Sequence, residues 1–221
     1  MKNIFSCLLL TFFMLTASGQ RSQLLYLETG KVISSFDYKN SEGNSLSDLK
    51  GSIQNSLGLG VRMSVLRSPW HISAGVSHKK YGASSSDEVL GNYSEWDVSY
   101  LDANVGVDYE FLKPSMSVIE SNTFSFYLKG TIATDFLVNG KQRLNNQVFD
   151  LKGEEEFDRP VFFLKGGAGL IYYITRSYIA YVQYMYGRSF LFGNYDGQEQ
   201  LRYLTHTVNI GFSVSLSYNR R

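Results

Sequence analysis

Apolar and polar residues alternate with a period of two along most of this chain. The pattern is cleanest near the C-terminus, in the stretch from Thr205 to Tyr218. There Val208, Ile210, Phe212, Val214, Leu216 and Tyr218 share one parity, and Thr207, Asn209, Gly211, Ser213, Ser215 and Ser217 share the other. A β-strand sends successive side chains to opposite faces, so this stretch predicts a strand with one apolar side and one small, polar side. Seven more strands are predicted upstream, over 24–38, 53–66, 70–81, 93–112, 123–138, 161–174 and 178–192. In the second, Leu57, Leu59, Val61, Met63 and Val65 oppose Gly58, Gly60, Arg62 and Ser64. In the fourth, Leu101, Ala103, Val105, Val107, Tyr109 and Phe111 oppose Tyr100, Asp102, Asn104, Gly106, Asp108 and Glu110. The first strand changes parity, Leu25 and Leu27 giving way to Val32, Phe36 and Tyr38, which predicts a bulge or glycine kink at Thr29-Gly30.

The segments between strands alternate in length. Polar loops are predicted from Lys39, over 82–92 and over 193–200, with the longest over 139–160. Arg67-Ser68-Pro69 and Thr175-Arg176-Ser177 are tight turns, and Lys113-Pro114 opens a link ending at Asn122. Most strands span roughly 12–18 residues, more than the 9–11 that a tilted strand needs to cross a bilayer. Short turns at one end and long loops at the other predict an all-β, eight-stranded antiparallel up-and-down transmembrane β-barrel over 20–221. An even strand number places both termini on one side. A soluble barrel or sandwich is the alternative, but it would bury its apolar parity. Here the parity left for the interior is small, glycine-rich or charged, which favours lipid around the outside.

Composition changes this picture little. Sixteen Tyr, fifteen Phe and only three Pro among 221 residues suit strands, and the formal net charge of +1 gives no nucleic-acid footprint. A mean hydropathy of −0.16 resembles a soluble protein, because every second residue of such a strand is polar. The N-terminus reads as an export signal over 1–19. Lys2 precedes the apolar run Ile4 to Leu15, and Ala17-Ser18-Gly19 fits a cleavage site. Cys7, the single cysteine, falls inside that run, so the exported chain is expected to owe nothing to disulfides.

With its glycine-spaced stretches Leu57-Gly-Leu-Gly-Val61, Ala103-Asn-Val-Gly-Val107 and Lys165-Gly-Gly-Ala-Gly169, the chain resembles the small outer-membrane β-barrel family of the OmpX and OmpA type. More narrowly, it resembles the Bacteroidota-type, PorT-like barrel domain. In its final strand Gly211, Phe212, Val214, Leu216 and Tyr218 look like an insertion signal, although the chain ends Asn219-Arg220-Arg221 rather than on an aromatic. The resemblance implies an outer-membrane location, contact with the barrel-assembly machinery and surrounding lipopolysaccharide. It also implies an open choice of protein partner at the extracellular loops, including a place in a secretion or transport assembly. It carries no shared chemistry and no cofactor.

Candidate chemistry lies on the inward parity. Glu28, Arg62, Lys79, Asp102, Asp108, Glu110, Lys129, Asp135 and Lys165 are all placed inside a lumen that eight strands make just wide enough for side chains. Buried charges must pair, so the expected structure is a salt-bridged plug, with an ion or proton path as the alternative. His71 and Ser73 share a strand face and resemble the His-x-Ser of lipid A deacylases, which implies a base and a nucleophile of a lipid-modifying hydrolase, but no orienting acid is evident. His78 and His206 show no metal-ligand spacing, and no metal is expected. Aromatics near strand ends, among them Trp70, Trp96, Tyr172, Tyr173, Tyr178 and Tyr181, are expected to form interfacial girdles. The acidic run Glu154-Glu155-Glu156 reads as a solvated loop. The expected role is non-enzymatic, in envelope structure or surface interaction.

Overall fold

The computed structural model describes residues 23–39, 49–65, 68–87, 92–111, 123–145, 147–153, 155–175, 177–190 and 200–216. The export signal, Phe192, Tyr218 and Glu154 lie outside the described residues. Among the described residues nine strands follow in chain order: β1 (Gln23–Lys39), β2 (Lys50–Ser64), β3 (Trp70–Asp87), β4 (Asn92–Phe111), β5 (Thr123–Leu144), β6 (Gln147–Asp150), β7 (Val161–Tyr173), β8 (Tyr178–Phe190) and β9 (Gln200–Ser215). A single helical turn, α1 (Glu155–Asp158), lies between β6 and β7.

Eight of these strands close a ring. Each pairs antiparallel with its sequence neighbour, β5 pairs with β7, and β9 returns to β1, while β6 hangs from β5 as a short hairpin. Cα partners can be followed round the ring from Leu25 through Val61, Ala74, Val105, Ile132, Leu164, Arg188 and Leu204. The path returns to β1 at Ser35, ten residues (35 minus 25) beyond its start. Eight strands with this stagger enclose an interior that side chains can fill.

The parity change in β1 has a different cause from the expected bulge. Pairing of β1 with both neighbours runs without a shift through Thr29 and Gly30; the irregularities fall at Gly51/Ser56 in β2 and at Ser99/Tyr100 between β4 and β5. What changes is the solvent. In the half of the wall near the turns, Leu25, Leu27, Leu57, Leu59, Val105, Phe126, Leu128, Ile132 and Ile210 point out and are exposed, around a polar interior. Towards the loops the apolar residues point in: Val32, Phe36, Tyr81, Val98, Tyr100, Phe163, Leu201 and Tyr203 form one buried cluster. Outward positions there include Asp37, Glu95, Asp97 and Arg202, above a last row of exposed apolar residues, Ile33, Ile53, Phe136 and Phe190. The wall is therefore lipid-facing below and built like a water-soluble barrel above, in one unbroken register.

This explains why the strands outrun the predicted boundaries. β3 continues from Tyr81 to Asp87, β9 begins at Gln200, and β5 runs on to Leu144, through the first six residues of the predicted 139–160 loop. The rest of that loop is β6, α1 and a return segment that folds over the barrel mouth. Leu151, whose amide donates to Gly140 O at 3.0 Å, is buried in the upper cluster, and Phe157 packs against it. Asn145 makes the turn at φ 52°, and its side chain accepts from the Tyr93 amide at 2.8 Å, tying the hairpin to β4. At the opposite end, Trp70–Tyr109 (4.9 Å), Tyr109–Phe111 (4.8 Å) and Phe124–Tyr172 (4.8 Å) ring pairs form an outward aromatic girdle.

Candidate functional site

All nine charged residues assigned to the interior by parity point inward, and the structure sorts them into three levels. Nearest the turns, β2 presents Arg62 to two carboxylates of β4. Its Nε donates to Asp108 Oδ2 at 2.7 Å, and its Nη2 lies 3.6 Å from Glu110 Oε2. The guanidinium also sits 5.2 Å above the Tyr127 ring. Glu110 accepts from the Tyr173 hydroxyl, and His71 Nε2 lies 3.6 Å from it.

At the middle level Glu28 meets neutral donors rather than a cation. Tyr181 Oη (2.9 Å), Gln183 Nε2 (2.7 Å) and Asn209 Nδ2 (3.0 Å) donate to its carboxylate, and Tyr127 Oη holds Gln183 from behind at 2.9 Å. Lys129 lies 5.7 Å from the Tyr26 ring. Glycines make this level wide enough for tyrosine rings. A Cβ on Gly211 would come within 2.1 Å of Tyr181 Cζ, and one on Gly169 within 2.4 Å of Tyr127. These glycines are places where a ring lies flat on bare backbone.

The third level lies beneath the aromatic cap. Asp102, fully buried, receives Lys79 Nζ at 2.7 Å, Ser77 Oγ at 3.0 Å, Asn104 Nδ2 at 2.6 Å and the ammonium of Lys165. Lys165 also lies 3.8 Å from Asp135, which accepts from Tyr81 Oη at 2.5 Å. Two cations and two carboxylates thus neutralise one another from β3, β4, β5 and β7. Such a set is tolerable in a low-dielectric interior because both Asp102 oxygens and Asp135 Oδ2 are hydrogen-bonded, while Asp135 Oδ1, without a hydrogen-bond partner, faces the Lys165 ammonium.

Parity alone did not single out the uncharged members: Tyr81, Tyr127, Tyr173, Tyr181, Gln183 and Asn209. Two of them correct the girdle expectation. Tyr173 and Tyr181 turn inward onto carboxylates, and Trp96 packs against the upper cluster instead of sitting at a lipid interface. The signal was present in the sequence, since Tyr173 shares parity with Lys165 and Tyr181 with Gln183.

His71 and Ser73 are both buried, and Ser73 Oγ has no hydrogen-bond partner, so histidine does not engage it as a base would. No group of three or more His, Cys, Asp or Glu side chains among the described residues could hold a metal ion. A cavity of ≈ 20 Å³ between Tyr26, Arg62, Asp108 and Lys129 has room for about one water. In the final strand Gly211 points in against Tyr181, while Phe212, Val214 and Leu216 face out beside the β1 seam.

An outward apolar belt around a hydrogen-bonded polar interior, closed by pairing of the first and last strands, defines a transmembrane-type β-barrel. Among solved structures the chain is similar to the outer membrane protein OprG of Pseudomonas aeruginosa, with a TM-score of 0.51 at 12% identity over 90% of this chain and 99% of that one. It is also similar to Neisserial surface protein A (0.49, 11%, 87% and 97%) and to the Escherichia coli outer membrane protease OmpT (0.47, 9%, 91% and 100%). No family model matches the chain, and no curated protein matches it. At such identities the likeness concerns the fold, not the activity.

Proposed function

We propose that this chain is an integral outer-membrane protein with a closed, salt-bridged lumen, serving envelope structure or surface interaction through its loop-end extension and without catalysis. The supporting observation is the filled interior. Charges at the lower and upper levels are paired within it, Glu28 is satisfied by neutral donors, and the cavity beside Arg62 has room for about one water. In this reading both chain ends sit on the periplasmic side, after removal of residues 1–19, and Phe212, Val214 and Leu216 with Gly211 and Tyr218 serve as the signal to the assembly machinery. The hydrolase reading loses support because Ser73 is sealed inside the wall, away from any lipid.

Reconstitution tests this directly. The folded protein should migrate differently on a gel before and after boiling, and it should give no steady conductance in a planar bilayer. Large, lasting single-channel currents would refute the plug.

A further inference from the structure

We propose that the outer wall of β8, β9, β1 and β3 carries a binding arc for a lipid whose sugar headgroup bears phosphates. The inference rests on the outer-membrane reading. One circuit of the ring climbs ten residues over eight strands, so each step to the next strand climbs about one and a quarter residues. Corrected for that climb, Lys31, His78, Lys80, Arg188 and His206 fall within about 6–8 Å of one axial height. All five point outward, and Lys31, His78 and Arg188 are exposed.

The arc lies in the upper rows of the apolar belt, with outward Ile33, Leu204 and Phe190 each two residues above Lys31, His206 and Arg188 on the same strands. Arg188 stands between Leu164 and Leu204, His206 between Tyr186 and Ile33, and His78 between Leu57 and Leu101. Cationic heads on apolar stems in such rows reach up to where headgroups sit. Tyr184 Oη and His206 Nδ1 are 2.7 Å apart, and Tyr186 meets the same ring edge-on at 5.3 Å, so the imidazole is held by two half-exposed phenols. Lys31 Nζ donates to Asn55 at 2.6 Å. The ion pairs among the described residues use Arg62, His71, Lys79, Arg143 and Lys165, not these side chains.

Charge is distributed unevenly over the wall. The outward carboxylates Asp37, Glu95 and Asp97 all lie higher, in the extension beyond the belt. At the turn end the outward strand residues are Trp70, Tyr109, Phe111, Phe124, Tyr172 and Tyr178, with no charge among those described. Arg67 and Arg176, in the two tight turns the sequence predicts, lie outside the described residues. Both rims of the belt carry outward rings, Phe136, Phe162 and Phe190 on the loop side, but among the described residues only the loop-side rim adds cations on the wall itself, which suits a bilayer whose loop-side leaflet is dense in phosphate. A soluble acidic partner fits poorly, because it would have to reach below the water-facing extension to a level shared with acyl chains.

The test is retention of lipid by the full-length folded protein in native mass spectrometry. Diphosphorylated lipid A, its dephosphorylated form and phosphatidylglycerol serve as probes. The variant Lys31→Gln/Lys80→Gln/Arg188→Gln should retain the diphosphorylated lipid at least ~tenfold less well than the parent. A control of equal charge loss, Lys50→Gln/Lys141→Gln/Lys152→Gln in the loop-end extension, should match the parent. Equal retention by both variants, or equal retention of phosphatidylglycerol by the parent, overturns the arc. Failure of the parent to fold into bilayers, read as unchanged gel mobility on boiling, would instead remove the outer-membrane reading beneath it.

Discussion

Replacing Asp102 by Asn removes one negative charge from the centre of the upper network and leaves the volume almost unchanged. Asp102 is fully buried, it takes the ammonium of Lys79 at 2.7 Å and that of Lys165, and Ser77 and Asn104 donate to its other oxygen. After the change two buried ammoniums share one carboxylate, Asp135, which lies 3.8 Å from Lys165 and already accepts from Tyr81. Leaving a buried charge without its partner costs about 3–5 kcal/mol, or roughly a hundredfold to a few thousandfold in the unfolding constant. Equilibrium urea unfolding in lipid vesicles, followed by tryptophan fluorescence, measures this. The double variant Lys79→Met/Asp102→Leu removes one charge of each sign and leaves Lys165 with Asp135, so it should recover most of the loss. Asp102→Asn within about 1 kcal/mol of the parent would refute the claim that this network is tightly coupled and dry. A double variant less stable than the single would do the same.

Two further expectations follow from the same interior. Gly211→Ala drives a methyl into the Tyr181 ring, which is locked onto Glu28, and should cost about 1–3 kcal/mol. Gly166→Ala, with nothing within 4 Å of its added Cβ, serves as the neutral control in the same unfolding assay; equal effects would show that ring-on-backbone packing is not what requires the glycine. Ser73→Ala removes a buried hydroxyl that has no hydrogen-bond partner, so stability should hold or rise by up to about 1 kcal/mol. Mass spectrometry of membrane lipids from cells producing either protein should show one acyl pattern; a difference between the two would revive the hydrolase reading.

The alternation of residue types by itself determined the strands, the inward parity of all nine interior charges and the existence of a closed antiparallel barrel. Period two is a local property of the backbone, so it survives without knowledge of partners. It could not determine the solvent on each side at each height. Val32 and Phe36 change parity relative to Leu25 and Leu27 without any change of register, because β1 leaves the lipid-facing belt and enters an extension with its own apolar core. Nor could it show that Lys165 of β7 reaches across to Asp102 of β4, or that Tyr181 of β8 serves Glu28 of β1. Those contacts depend on ring closure and on the ten-residue stagger, which bring residues distant in sequence to one height. Leu151 and Phe157 were legible only as members of a long loop. They became the cover of the barrel mouth once the aromatic cluster beneath gave them a surface to bury.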